Sequence, residues 1–157
     1  MAVGESIVVG TDGSERAERA IERAGQLASA LGTMVHVVSA HGKGPDGVHM
    51  AGAGEFGDAE VFVEDEKRLR AEHYVERARG RLTDLGVASE GHVWRGDPAE
   101  ALVHIAEEQT AQMIVVGNRG MTGARRVLGS VPNSVSHHAP CDVLIVSTAP
   151  RSAAPPG

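Results

Sequence analysis

The chain has 157 residues, 41% hydrophobic and 23% charged, which suits one globular domain with a real core and excludes a disordered polymer. A net charge of −6 excludes a general nucleic-acid binder with a wide basic face, and 3% aromatic residues leave few platforms for stacking bases. The single cysteine, Cys141, excludes an internal disulfide and fits a reducing cytoplasm, and no apolar run reaches the length of a membrane span or a signal peptide's core.

Ser6–Gly10 is a short apolar run rich in β-branched residues, as in a strand buried on both faces. Thr11-Asp12-Gly13-Ser14 punctuates the chain. A helix follows, with Ala17, Ala20, Ile21, Ala24, Leu27, Ala28 and Leu31 at helical spacing and Gly32 placed as its C-cap. Met34–Val38 is the second strand. Residues 41–58 hold six glycines without periodicity, so 42–57 reads as a long flexible loop. A second helix is expected from Val61 to Leu85, buried along Ala71, Tyr74, Ala78, Leu82 and Leu85, with Gly86 ending it.

Ser89–Trp94 is a weaker third strand, in which Trp94 reads as a packing residue. Asp97-Pro98-Ala99-Glu100 then starts a helix: Asp97 can cap, Pro98 suits the first position and Glu100 completes a capping box. Leu102, Ile105 and Ala106 face inward. Met113–Val116 is the fourth strand, Ser130–His138 a short helix with Pro132 in its first turn, and Val143–Val146 the fifth strand. Strands and helices alternate throughout. That order implies an α/β fold, a five-stranded parallel sheet with helices on both faces. One domain over 1–148 and a disordered tail over 149–157 complete the expectation.

Ligands of such sheets bind beyond the carboxyl ends of the strands, where the strand order reverses. Strand one ends at Thr11-Asp12. Strand four ends in a loop with four glycines (Gly117, Gly120, Gly123, Gly129) within thirteen residues, among Arg119, Arg125 and Arg126. Glycines let backbone N–H groups approach a ligand, and the helix start that follows favours an anion. The P-loop pattern occurs nowhere in the chain, and this loop lacks G-x-G-x-x-G. What remains is G-x-x-G, eight residues, then G-S.

The stretch Gly117-x-x-Gly120-x8-Gly129-Ser130 resembles the nucleotide-binding motif of the universal stress proteins, whose usual spacer is nine residues. The opening IVVGTDGS and the segment from Ser130 to Val146 resemble the same family. The resemblance implies a Rossmann-like fold of the adenine nucleotide α-hydrolase type and membership of the ATP-binding branch. Carried over, the backbone of Gly117, Gly120, Gly129, Ser130 and Val131 would hold phosphates. Thr11, Val37 and Val116 would line an adenine slot. Asp12 would meet the ribose or a phosphate-bound Mg or Mn ion, and Gly13, Asn118 and Arg119 complete the expected contacts. The resemblance also implies a homodimer joined through the last strand, whose apolar edge would otherwise be exposed.

Plainer readings stand beside these. Asp12 can form an Asx-turn, Ser130 can cap its helix, and the arginines can be solvated loop charges. His137 and His138 point about 100° apart on a helix, and no Cys/His spacing suits zinc, so no metal site from protein side chains is expected. Cys141 reads as an inert buried thiol. A loop lysine and a water-positioning group are missing, so any ATP hydrolysis should be slow. The expectation is a nucleotide-binding stress or regulatory protein holding ATP. Cyclic AMP is the alternative ligand, and an interaction module without nucleotide the alternative class.

Overall fold

In the computed structural model of the protein, the structure describes residues 5–42, 57–118 and 128–147, with the backbone alone for 57–61. Arg119, Gly120, Gly123, Arg125 and Arg126, most of the 42–57 loop, and the 149–157 tail lie outside the described residues. Strands and helices alternate: β1 (Ile7–Gly10), α1 (Glu15–Leu31), β2 (Val35–His41), α2 (Gly57–Asp84), β3 (Ser89–Arg95), α3 (Pro98–Glu108), β4 (Met113–Asn118), α4 (Ser130–His138) and β5 (Asp142–Ser147). The sheet runs β3-β2-β1-β4-β5 with every pairing parallel. This is the expected five-stranded α/β sheet. Its order reverses between β1 and β4, where a crevice must open.

Each face of the sheet has its own core. On one side Ala20, Ile21, Ala24 and Ala28 of α1 and Val75, Ala78 and Leu82 of α2 pack on Ile7, Val9, Val35, Val37 and Val115. On the other, Leu102, Ile105 and Ala106 of α3 and Val135 of α4 pack on Val8, Val38, Ile114 and Val116. Alternate residues of each central strand go to opposite faces, which is why β1, β2 and β4 are nearly continuous runs of valine and isoleucine.

The local signals act as their chemistry dictates. Asp97 Oδ1 accepts from the Glu100 N–H at 3.0 Å with Pro98 in the first turn of α3, and Gly32 closes α1 at φ 67°. Three expectations shift. Strands β2 and β4 continue through His41 and Asn118, because parallel pairing with β3 and β5 extends their ladders past the valines. Val75 joins the buried stripe of α2 while Tyr74 and Leu85 are half-buried. Leu31, the last residue of α1, is 55% exposed.

Candidate functional site

The carboxyl end of β1 turns tightly into α1. The Thr11 N–H extends the ladder by donating to the Val38 carbonyl at 2.9 Å, and the Thr11 hydroxyl accepts from the Gly13 N–H at 3.2 Å. Asp12 Oδ1 accepts from the Ser14 N–H at 3.0 Å, and Ser14 Oγ caps α1 by accepting from the Ala17 N–H at 3.2 Å. Asp12 therefore does form an Asx-turn, yet its carboxylate stays exposed at the rim of the crevice. Gly13 is fixed twice over. Its φ is +77°, and a Cβ there would come within 2.3 Å of the Tyr74 ring.

At the other wall, β4 ends in Gly117 and Asn118. The Asn118 side chain is only 2% exposed, and its Oδ1 accepts from the Gly129 N–H at 3.3 Å. Gly129, in extended conformation, is the N-cap of α4, and its carbonyl accepts from the Asn133 N–H at 3.0 Å. The helix thus starts one residue earlier than a Ser130 cap would require. Ser130 and Val131 occupy its first two positions, where amides have no acceptor inside the helix. Pro132 has no N–H to offer. The end of α4 presents two adjacent amides at the positive pole of the helix, an arrangement that suits an anion.

Between these walls lies a cleft of about 460 Å³. Thr11, Asp12, Val116, Gly117, Gly129, Ser130 and Val131 all line it, so the structure brings together most of the residues expected from the sequence. Val37 is not among them. It is fully buried under α1 and α2, and the alternation of β2 sends Val38 and Ala40 to the cleft instead. Gly13 lies on the α1–α2 side against Tyr74. Asn118 acts through the Gly129 amide, and the amide of Gly129 is occupied by that bond.

Several residues of the cleft carry no ligand signal in the sequence, Gly10, Leu102 and Arg16 among them. Gly10 and Leu102 help close its floor, a Cβ on Gly10 meeting the Leu102 methyls at 3.4 Å. Arg16, in the first turn of α1, lines it too, and forms no ion pair among the described residues. A larger groove of about 630 Å³ separates α1 from α2, but its walls are tied by the ion pairs Arg77–Glu18 and Arg81–Glu22. The cleft between β1 and α4 is the better candidate on chemistry.

Among the described residues, two titratable groups are displaced from their ordinary range. Partial burial, then the charge of Asp142, pushes the Cys141 thiol up, against a smaller pull from a backbone hydrogen bond at Ile114, which lowers its share of thiolate. Burial, then His92, lowers His36, which Glu90 partly opposes.

The universal stress protein family model matches residues 5–147. A universal stress protein of Mycobacterium tuberculosis is 37% identical over 154 residues, covering 94% of this chain and 99% of the relative. Among solved structures, a universal stress protein in complex with cAMP superposes with a TM-score of 0.70 at 32% identity, over 94% of this chain and 100% of the other. The Archaeoglobus fulgidus universal stress protein in complex with dAMP gives 0.63 at 27% identity, over 91% and 98%.

Proposed function

The chain belongs to the universal stress protein family, and we propose that it is a stress-response or regulatory protein that holds ATP in the cleft between β1 and α4. The observation that carries this reading is the pair of amides at Ser130 and Val131, which have no acceptor inside their own helix and stand on the same cleft as the exposed carboxylate of Asp12. The donor set fits a nucleotide. Amides at a helix start suit phosphate oxygens, Val38, Ala40, Leu102 and Val116 form an apolar wall for a base, and Asp12 suits ribose hydroxyls or a phosphate-bound Mg or Mn ion. Arg16 adds a guanidinium within reach of the same space. With Gly120 and Arg119, the rest of the glycine loop belongs to this reading as further phosphate contacts.

Holding is the proposed role, not turnover. Among the described residues no lysine lines the cleft, and Asp12 is its one carboxylate. ATP turnover well above background and abolished by Asp12→Ala would replace this reading with an enzymatic one. In the bound state, changing Gly117 and Gly120 together to leucine should abolish ATP binding in calorimetry. Retained affinity would remove the pocket assignment.

Cyclic AMP is the second reading. The described end of α4 supplies two amides, enough for one phosphate, and a solved relative at 32% identity is a cAMP complex. Displacement of labelled ATP by cAMP at comparable concentration would favour it, and no displacement would exclude it. We also read residues 1–148 as one cytoplasmic domain that dimerises through β5. That strand is the sheet's edge, with Val143, Leu144 and Ile145 only half-buried. A monomer by light scattering at micromolar concentration would contradict the dimer.

A further inference from the structure

The second strand interrupts its valines with a histidine. His36 lies between Val35 and Val37, whose side chains enter the α1–α2 core, so its ring goes to the α3 face of the sheet. There it is 3% exposed. A buried imidazole needs a partner for its ring nitrogens. Parallel pairing supplies one from β3. In register, His36 stands opposite Glu90 and Val38 opposite His92, and Glu90 and His92 share one face of β3. His36 Nδ1 and His92 Nε2 are 3.0 Å apart, and Glu90 Oε1 is 3.9 Å from His92 Nε2. One nitrogen or oxygen from each of the three residues falls within 4.8 Å of the others.

We propose that His36, His92 and Glu90 form a binding site for a divalent cation of the zinc class, on the β2–β3 edge of the sheet. Two imidazole nitrogens on one tetrahedral zinc ion lie roughly 3.3 Å apart, because each bond is about 2.0–2.1 Å. The observed 3.0 Å needs only a small adjustment. Two imidazoles and one carboxylate are a donor set that zinc accepts, leaving a fourth position for water. The burial gradient suits a ligand site with an entrance. His36 is enclosed, the His92 side chain is 16% exposed and that of Glu90 is 59% exposed, so the carboxylate can swing onto an ion arriving from solvent. Bound metal would also clamp β3, an edge strand, to β2.

The test uses chelator-treated, nucleotide-free full-length protein, so that phosphates contribute no affinity and the outcome is independent of the cleft reading. Zn²⁺ is titrated against a chromophoric competitor. Wild type should bind one equivalent and gain thermal stability with it. His92→Gln and Glu90→Gln, both at partly exposed positions, should each lose at least roughly tenfold in affinity while folding normally. A double His137→Gln/His138→Gln control should bind as wild type. Co²⁺ in place of Zn²⁺ should give the visible bands of a four- or five-coordinate ion, absent in His92→Gln. No binding by wild type, or wild-type affinity in His92→Gln, would overturn the proposal and leave His36 and His92 as a hydrogen-bonded pair.

Discussion

Asn118 Oδ1 accepts the Gly129 N–H at 3.3 Å, and this bond fastens the carboxyl end of β4 to the start of α4. Asn118 comes from the sheet and Gly129 from the helix that carries the candidate phosphate amides. The bond joins the two ends of the glycine-rich segment, and Gly129 lines the cleft. Asn118→Ala should therefore cost about 1 kcal/mol, because it leaves a half-buried amide without this acceptor. Urea unfolding would measure the loss, and nucleotide affinity should fall with it. An unchanged midpoint would mean that the tie is dispensable.

Gly13 and Tyr74 should be coupled. Gly13→Ala places a methyl group against the Tyr74 ring and imposes φ +77° on alanine. The left-handed conformation alone costs about 1–2 kcal/mol, and the clash adds to it. Tyr74→Ala should relieve only the steric part. In a double-mutant cycle by urea unfolding, the double variant should be more stable than the sum of the single losses predicts. Additive losses would show that the ring simply moves aside.

Cys141 should react slowly. Its raised thiol pKa means less thiolate at any pH below it, and the thiolate is the attacking species. Iodoacetamide should alkylate Cys141 in the native protein more slowly than it alkylates glutathione at pH 8, and at an ordinary rate once the protein is unfolded in urea. Native reactivity equal to that of glutathione would contradict the upward shift of the half-buried thiol.

Arg16 should matter for affinity more than for stability. It lines the cleft from an exposed helix turn and holds no ion pair among the described residues, so Arg16→Ala should leave the unfolding midpoint within about 0.5 kcal/mol of wild type. ATP affinity should drop severalfold, and more at low salt than at high salt. Equal affinity at low salt would place the guanidinium away from the phosphates.

Much of this architecture is legible in the chain because its signals are local. The Asp97-Pro98-Ala99-Glu100 start, the Gly32 stop and the alternation of apolar runs with amphipathic stretches fix the element order, and the order fixes where the crevice opens. Legibility fails where two faces of one strand look alike. In Val35-His36-Val37-Val38 every valine is buried, so the residues alone do not say that Val38 meets the cleft and Val37 does not. It fails again where partners are far apart in sequence. The Tyr74 ring against Gly13, and the pairing of His36 with His92 across 56 positions, arise only when the sheet and helices are assembled.

The central claim is that backbone amides at the start of α4 hold the phosphates of a nucleotide. Ser130→Pro tests it with little disturbance, because proline is tolerated at the first helical position and Gly129 already has the extended conformation that a following proline requires. The substitution removes one amide, whereas Ser130→Ala removes only the hydroxyl. Calorimetric titration of ATP with Mg²⁺ into wild type and both variants should give nearly wild-type affinity for Ser130→Ala and at least roughly tenfold weaker binding for Ser130→Pro, the loss of one charge-assisted hydrogen bond. Undiminished binding by Ser130→Pro, or no binding by wild type, would contradict the account.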